Sequence, residues 1–199
     1  MTELKKQRIK SVLKYTWPLY LVMGFVSVLV LNIIFRVAHP TPAYKTLTLF
    51  VSGEVTDAKK LKNDMMDKYQ EKELKSFSCI SSKPSDANYN QKLTIPGYSS
   101  ADVLIIPVSK LNNVVVSDFA LDLSDELINS FYQGYELYKK DDVNYGIKVN
   151  KEIVKEYMTL PEEECYLLLN GKSQNLGDYS KKPVKEHDMA LSVVKDWGM

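Results

Sequence analysis

Two short segments of the sequence have the residue types and the positions expected of a ligand-binding site. Ser52-Gly53-Glu54 follows the β-rich run Leu47–Val51, and Pro107-Val108-Ser109 follows the apolar run Val103–Ile106. In open α/β sheets, ligands collect at the carboxyl ends of the strands, and the N–H groups that begin the next helix favour an anion. Glycine also permits close approach to the backbone, although Ser-Gly after a strand is equally an ordinary turn. We therefore predict that a ligand contacts Ser52, Gly53, Glu54, Pro107, Val108 and Ser109.

Residues for catalysis or metal binding are sparse. The chain has two Cys and two His, and we interpret His187, in a Lys-Glu-His-Asp stretch, as part of a solvated helix face. The eight glycines form no phosphate-binding loop, and no spacing is typical of metal ligands. Glu162-Glu163-Glu164 could bind a cation, but we favour a charged loop or a helix start. The sequence predicts no enzyme, no metal and no cofactor.

Cys79 and Cys165 both lie in apolar runs that we predict to be strands. An oxidising compartment would permit a disulfide, but a bridge needs Cα atoms within ~7 Å of each other. Because the two strands need not be neighbours, we favour two buried free thiols.

An uncharged run of 21 residues extends from Tyr15 to Phe35. About 20 apolar residues are needed for a helix to cross the hydrocarbon of a bilayer, so this run predicts a transmembrane helix. Trp17 and Tyr20 suit the membrane interface, and Pro18 is expected in the first helical turn. A cleaved signal peptide is the alternative, but its apolar core is usually ~7–15 residues long. We favour a retained anchor, since Thr41-Pro42-Ala43 is a poor cleavage site.

Five Lys or Arg residues precede this run, whereas Arg36 and Lys45 are the basic residues close behind it. The positive-inside rule therefore predicts a cytoplasmic N-terminus and an extracytoplasmic C-terminal domain in the cell envelope. The predicted division is a cytoplasmic tail (1–14), a transmembrane helix (15–36), a Pro-rich stalk (37–45) and an extracytoplasmic α/β domain (46–199).

The charge of the outer part argues against nucleic-acid binding. The whole chain carries +1, and from Lys45 onward 20 basic and 24 acidic side chains give −4. No polybasic surface is expected from this composition. About 155 residues are enough to bury a substantial hydrophobic core.

Strand and helix patterns alternate along the outer part, which favours an α/β sandwich with a largely parallel sheet. In the helix predicted over Asp125–Tyr138, one face carries Phe131, Tyr135 and Tyr138. Tyr132 points to another face and could belong to a recognition surface. The predicted strands are Leu47–Val51, Phe77–Ser81, Val103–Ile106, Tyr145–Val149 and Cys165–Leu169. The predicted helices are one capped by Thr56 or Asp57 and carrying Leu61, Met65, Met66 and Tyr69, one over Val184–Trp197, and one over Asp125–Tyr138.

The order of these segments resembles the extracytoplasmic solute-binding proteins of bacterial ABC importers, which have the type II periplasmic-binding-protein fold. Family members usually have two lobes, but only 15 residues separate Val149 from Cys165, where a second lobe would be inserted. The resemblance therefore implies a single lobe on a membrane helix. The segments that carry it are 47–69, 99–107 (SSADVLIIP), 119–127 (FALDLSDEL), 145–149 (YGIKV), 166–175 (YLLLNGKSQN) and 188–197.

We expect a non-enzymatic accessory or docking subunit of an ABC transporter or another envelope complex. A lone lobe exposes the face that normally meets its partner lobe, and such faces mark interaction sites. A homodimer could cover the same face. The alternative is a receptor that delivers a small solute to an ABC importer through residues 52–54 and 107–109, and a small extracytoplasmic enzyme using His187 or Glu54 is the third hypothesis.

Overall fold

A 36-residue helix, α1 (Glu3–Ala38), forms the described part of the N-terminal unit. The computed structural model describes residues 3–38, 41–181 and 187–199 and divides into two units, Met1–Thr41 and Pro42–Met199. Within α1, Thr16–Phe35 has a mean hydropathy of 2.3 and exposes its side chains. At 1.5 Å per residue these 20 residues extend about 30 Å, so the helix is long and apolar enough to span a bilayer.

Pro18 lies well inside α1, so the prediction that it occupies the first helical turn is wrong. The basic segment before the apolar run is also helical, because Lys, Leu and Arg are good helix formers. A proline at this depth lacks the N–H that would bond to the carbonyl four residues earlier.

Six strands of the second unit form one mixed sheet in the order β3-β1-β4-β8-β6-β5. Strand β1 pairs in parallel with β3 and β4, and the other three pairings are antiparallel. Four strands thus run in one direction and two in the other. The described strands are β1 (Thr46–Val51), β2 (Glu54–Val55), β3 (Ser76–Ser81), β4 (Val103–Pro107), β5 (Leu137–Lys140), β6 (Val143–Lys148), β7 (Met158–Thr159) and β8 (Cys165–Leu169).

The α/β class and the five predicted strands are confirmed, with β6 shifted to Val143–Lys148. The hairpin β5–β6 was not predicted. Its turn residues Asp141 and Asp142 have φ of 52° and 65°, the left-handed geometry of a two-residue hairpin turn. Strands β2 and β7 form a separate antiparallel ribbon next to the end of β1.

The helices pack mainly on one face of the sheet. Asp57 caps α2 by accepting a hydrogen bond from the Lys60 N–H at 2.8 Å, as predicted. Helices α2, α6 and α8 bury one apolar layer, whereas short helices and turns cover the other. The remaining helices are α2 (Ala58–Lys68), α3 (Tyr89–Lys92), α4 (Tyr98–Ser100), α5 (Val108–Leu111), α6 (Asp125–Phe131), α7 (Lys151–Val154) and α8 (Met189–Trp197).

Two helix predictions need correction. Helix α6 ends at Phe131 rather than at Tyr138, because the chain turns at Gly134, whose φ is +87°, and enters β5. Tyr132 is fully buried and donates a hydrogen bond to the Leu191 carbonyl at 3.1 Å, so the surface interpretation of Tyr132 is wrong. Helix α8 begins at Met189, and residues 184–186 of the predicted helix lie outside the described residues.

Candidate ligand-binding site

The two predicted segments meet at one edge of the sheet. Because β1 and β4 are parallel neighbours with Val51 opposite Ile105, their carboxyl ends lie side by side. The Ser52 N–H donates to the Ile105 carbonyl at 2.9 Å and extends this pairing by one residue. The tertiary structure therefore places both segments at the same edge of the sheet, where Gly53 and Glu54 line a groove and residues 107–109 contact the loop before β8 instead.

The hydroxyl of Ser52 has a partner within the protein. Ser52 is fully buried, and its Oγ lies 2.7 Å from Oη of Tyr89. Burial raises the pKa of Tyr89 to about 12, so this phenol stays protonated near neutral pH and does not act as a base for Ser52. The pair joins β1 to helix α3 and is not an activated nucleophile.

Gly53 permits another group to pack closely against its main chain, but that group is a second main-chain segment of the protein and not a ligand. A Cβ at this position would lie 2.4 Å from the Thr159 carbonyl oxygen, at the end of β7. Gly53 therefore allows the β2–β7 ribbon to sit against the end of β1.

A groove of about 250 Å³ lies beside this ribbon at the carboxyl edge. The Glu54 carboxylate and the Lys83 ammonium form an ion pair of 2.6 Å there, and both side chains are more than half exposed. The groove thus combines largely apolar walls with one pair of opposite charges. The lining residues are Gly53, Glu54, Lys83, Pro84, Thr159, Leu160 and Pro161.

The N–H groups that follow β4 are bonded to the loop before β8. Buried Pro107 lies opposite Cys165, and the Val108 N–H donates to the Glu164 carbonyl at 2.9 Å. The Ser109 N–H and hydroxyl donate to the two carboxylate oxygens of Glu163 at 3.0 and 2.7 Å. A carboxylate of the chain therefore lies where we expected an external anion, and Asp57 has the same position at the start of α2.

The triple-glutamate segment is a charged loop around an internal cation. The Lys151 ammonium donates to the carbonyls of Pro161 at 2.5 Å and of Glu162 and Glu163 at 2.7 Å. A cavity of about 400 Å³ between Lys148 and Cys165 adjoins this loop. These carbonyls therefore bind an ammonium group of the protein itself.

Lys148 lies between two carboxylates at the same cavity. Its ammonium is 2.8 Å from Glu136 and 2.7 Å from Glu164. The hydrogen bond from Lys148 lowers the pKa of Glu164, and the two carboxylates raise the pKa of Lys148. This arrangement is an ion-pair network at the surface.

His187 is buried, 7% exposed, before the first turn of α8, so its interpretation as part of a solvated helix face is wrong. Its ring packs on Tyr44, with centroids 4.4 Å apart. Across residues 3–38, 41–181 and 187–199, no group of three His, Cys, Asp or Glu side chains is placed to hold a metal ion.

Cys79 and Cys165 are free thiols, and β1 and β4 separate their strands. Three strand spacings of about 4.8 Å place the strands roughly 14 Å apart, too far for a disulfide. The preference for two free thiols is confirmed, although Cys79 is only partly buried. Burial raises the pKa of Cys79 to about 12 and of Cys165 to about 11, so both thiols stay protonated.

A buried polar network around Asp102 lies at the opposite, amino edge of the sheet. Its carboxylate accepts from the Thr48 N–H at 2.8 Å, from the Asn175 amide at 3.1 Å and from the Ser173 hydroxyl. Burial raises the pKa of Asp102. Sequence reasoning did not find this network, because one Asp before an apolar run is typical of an exposed strand end.

The carboxyl edge has an open groove, while the Ser52 and Ser109 hydroxyls and the first N–H groups of α2 and α5 are bonded within the chain. No family model and no curated protein matches the sequence.

Proposed function

We propose that this chain is a single-pass, membrane-anchored protein of the bacterial cell envelope with a cytoplasmic N-terminus. Its outer unit, which resembles one lobe of a solute-binding protein, docks as an accessory subunit on an ABC permease or another envelope complex. Helix α1 and the excess of basic residues before its apolar run support the anchor and its orientation.

One observation carries the docking role. At the carboxyl edge, Tyr89 is bonded to the Ser52 hydroxyl, Glu163 to the Ser109 N–H, and Asp57 caps α2. An edge whose donors are bonded within the chain does not need a captured anion to satisfy them. We therefore expect the outer unit to act through contacts of its surface with other proteins and not by enclosing a solute.

The order of elements also supports the resemblance to one lobe. The segments compared with the family form β1 with α2, then β4, then β6, and finally β8 followed by α8. Between β6 and β8 the chain forms only α7 and β7. A connection of this length does not contain a second lobe, which supports the proposal of a single lobe that interacts with other proteins.

The first experiment is purification of the tagged full-length chain from its native membrane in a mild detergent, followed by mass spectrometry. Permease or ATPase subunits in stoichiometric amounts are the expected result. A chimera that keeps residues 1–42 before an unrelated soluble domain is the matched control and should lose these subunits. Recovery of the chain without stoichiometric partners, or equal recovery with the chimera, would contradict docking through the outer unit.

The groove beside β2 favours a second candidate function, a receptor that delivers a small solute to an ABC importer. The Glu54–Lys83 pair gives the groove one acceptor and one donor for a polar ligand. A solute that binds the folded state should raise the melting temperature with its concentration. Glu54→Gln should abolish that rise, whereas Glu156→Gln, which removes a comparably exposed charge paired with Lys60, should preserve it. Equal rises in both variants would exclude this groove.

A further inference from the structure

Asp102 is the one buried carboxylate among the side chains that the structure describes, and it is 8% exposed. Its bonds come from a main-chain N–H, a hydroxyl and an amide, and no cation of the described chain pairs with it. A buried charge is costly unless a group of opposite charge pairs with it. The raised pKa of Asp102 expresses the same cost of burial.

A cavity of about 220 Å³ lies beside this carboxylate at the amino edge of the sheet. Asp102 lines the cavity together with Asn170 and Ser173, which are also buried. Pockets for drug-sized ligands begin at roughly 300 Å³, so this cavity suits a smaller molecule. Three buried polar side chains, each held by hydrogen bonds, give it a fixed polar wall.

Hydrogen-bond acceptors are in excess in this wall. A carboxylate offers about four acceptor positions, and Asp102 uses three of them. The amide nitrogen of Asn175 donates to the Thr46 carbonyl at 2.6 Å and to Asp102 at 3.1 Å. These two bonds fix the amide, and no described group donates to its buried Oδ1. The missing partner of the network is therefore a donor.

The lining also carries one positive charge, on Lys172. The Lys172 N–H donates to Oδ1 of Asn170 at 3.0 Å, which holds this residue at the cavity. Its side chain is exposed, and its ammonium has no acidic partner in the part of the chain that the structure describes. Asp102 and Lys172 are the two charged residues of the lining, so a ligand with a single charge would meet one like charge.

We propose that this cavity binds a small zwitterion that carries one ammonium and one carboxylate group, such as a short amino acid. The ammonium donates to Asp102, and the carboxylate accepts from Lys172. Hydrogen bonds between ionised groups are roughly twice as strong as neutral ones. This inference does not rest on the docking role, and the cavity lies at the opposite edge of the sheet from the groove at Glu54.

The first test is calorimetric titration of the detergent-solubilised full-length chain with glycine, L-alanine and L-serine. We expect at least one of the three to bind. Methylammonium and acetate each carry one of the two charges, and their dissociation constants should be at least about tenfold higher. Absence of binding by all three amino acids would overturn the proposal. Equal binding of methylammonium or acetate would contradict recognition of a zwitterion.

Two pairs of variants locate the site. Lys172→Gln removes the partner of the ligand carboxylate and should raise the dissociation constant at least about tenfold. Lys62→Gln changes an exposed lysine on α2 and should leave it unchanged. Ser100→Phe fills the cavity from its exposed rim and should abolish binding, whereas Ser130→Phe, exposed on α6, should preserve it. Equal affinities within either pair would contradict this site.

Asp102→Asn removes the buried charge and should abolish binding, with circular dichroism as the check of folding. Ser100→Phe decides the question if Asp102→Asn does not fold, since Ser100 makes no bond to Asp102. Glu54→Gln, in the groove at the carboxyl edge, should preserve binding. Loss of binding in Glu54→Gln with retention in Lys172→Gln would place the zwitterion in that groove and overturn the proposal.

Discussion

The carboxylate of Glu163 binds Ser109 through both of its oxygens, one to the main-chain N–H at 3.0 Å and one to the hydroxyl at 2.7 Å. This contact ties the loop before β8 to the start of α5. It joins two segments 54 residues apart in the sequence at the carboxyl edge of the sheet.

Glu163→Ala should lower the free energy of unfolding by about 1–2 kcal/mol, because the Ser109 donors lose a charged acceptor at a partly solvated site. Urea denaturation of the detergent-solubilised chain measures the change. Glu162→Ala is the matched control, since Glu162 contributes its main-chain carbonyl to Lys151, and should change stability by less than about 0.5 kcal/mol. Equal effects would mean that the Glu163 carboxylate contributes little.

Gly53→Ala should destabilise the outer unit by about 2–3 kcal/mol, because the new Cβ would lie 2.4 Å from the Thr159 carbonyl. Gly171→Ala is the control for the loss of glycine flexibility. Its Cβ would meet Ala120 and Leu121 at an ordinary 3.7 Å, and stability should stay within about 1 kcal/mol. A neutral Gly53→Ala would show that the β2–β7 ribbon moves freely away from β1.

Asp102→Ala should cost about 3 kcal/mol or more of folding stability. It leaves the Thr48 N–H, the Ser173 hydroxyl and the Asn175 amide without their shared acceptor in a buried site. Ser173→Ala removes one donor to Asp102 and the acceptor of the Asn175 N–H, and should cost about 2 kcal/mol. The ratio of the two losses, measured by urea denaturation, tests whether Asp102 is the centre of the network. Equal losses would argue against it.

The melting temperature should depend on pH through Glu164. The hydrogen bond from Lys148 holds the pKa of this carboxyl below its ordinary value of 4.5. A lowered folded-state pKa means that the stabilisation is present above the ordinary value and is lost as the pH falls through the lowered one. Glu164→Gln should therefore flatten the fall of the melting temperature below about pH 5.

Glu162→Gln is the control for this pH dependence, since it neutralises an exposed carboxylate of the same loop. It should leave the wild-type slope intact. A Glu164→Gln profile identical to the wild-type profile would show that the pair with Lys148 does not contribute to acid stability.

Much of the fold could be predicted from local patterns. Apolar runs such as Val103–Ile106 and Cys165–Leu169 predict buried strands whatever their position in the sheet. Asp57 caps α2 by accepting from a residue three positions further along the chain. These predictions hold because hydrophobic periodicity and capping act within a few residues of the chain. The same is true of α1, whose length and apolarity depend on no other segment.

Strand β5 and the end of α6 could not be predicted in this way. Aromatic residues at helical spacing favoured a helix through Tyr138, but the left-handed residues at 134, 141 and 142 turn the chain into a hairpin. Pairing with β6 then outweighs helix propensity, because tertiary contacts exceed local preferences of a few tenths of a kcal/mol per residue.

The sequence by itself determined which residues reach the carboxyl edge, since Ser52 and Val108 directly follow strands that must be buried. Only the tertiary structure decided what they bond to there. Tyr89 and Glu163 come from segments 37 and 54 residues away from Ser52 and Ser109. Hydrogen bonds between distant segments form only once the strand order sets which loops are neighbours. No local pattern therefore indicates that these donors already have partners.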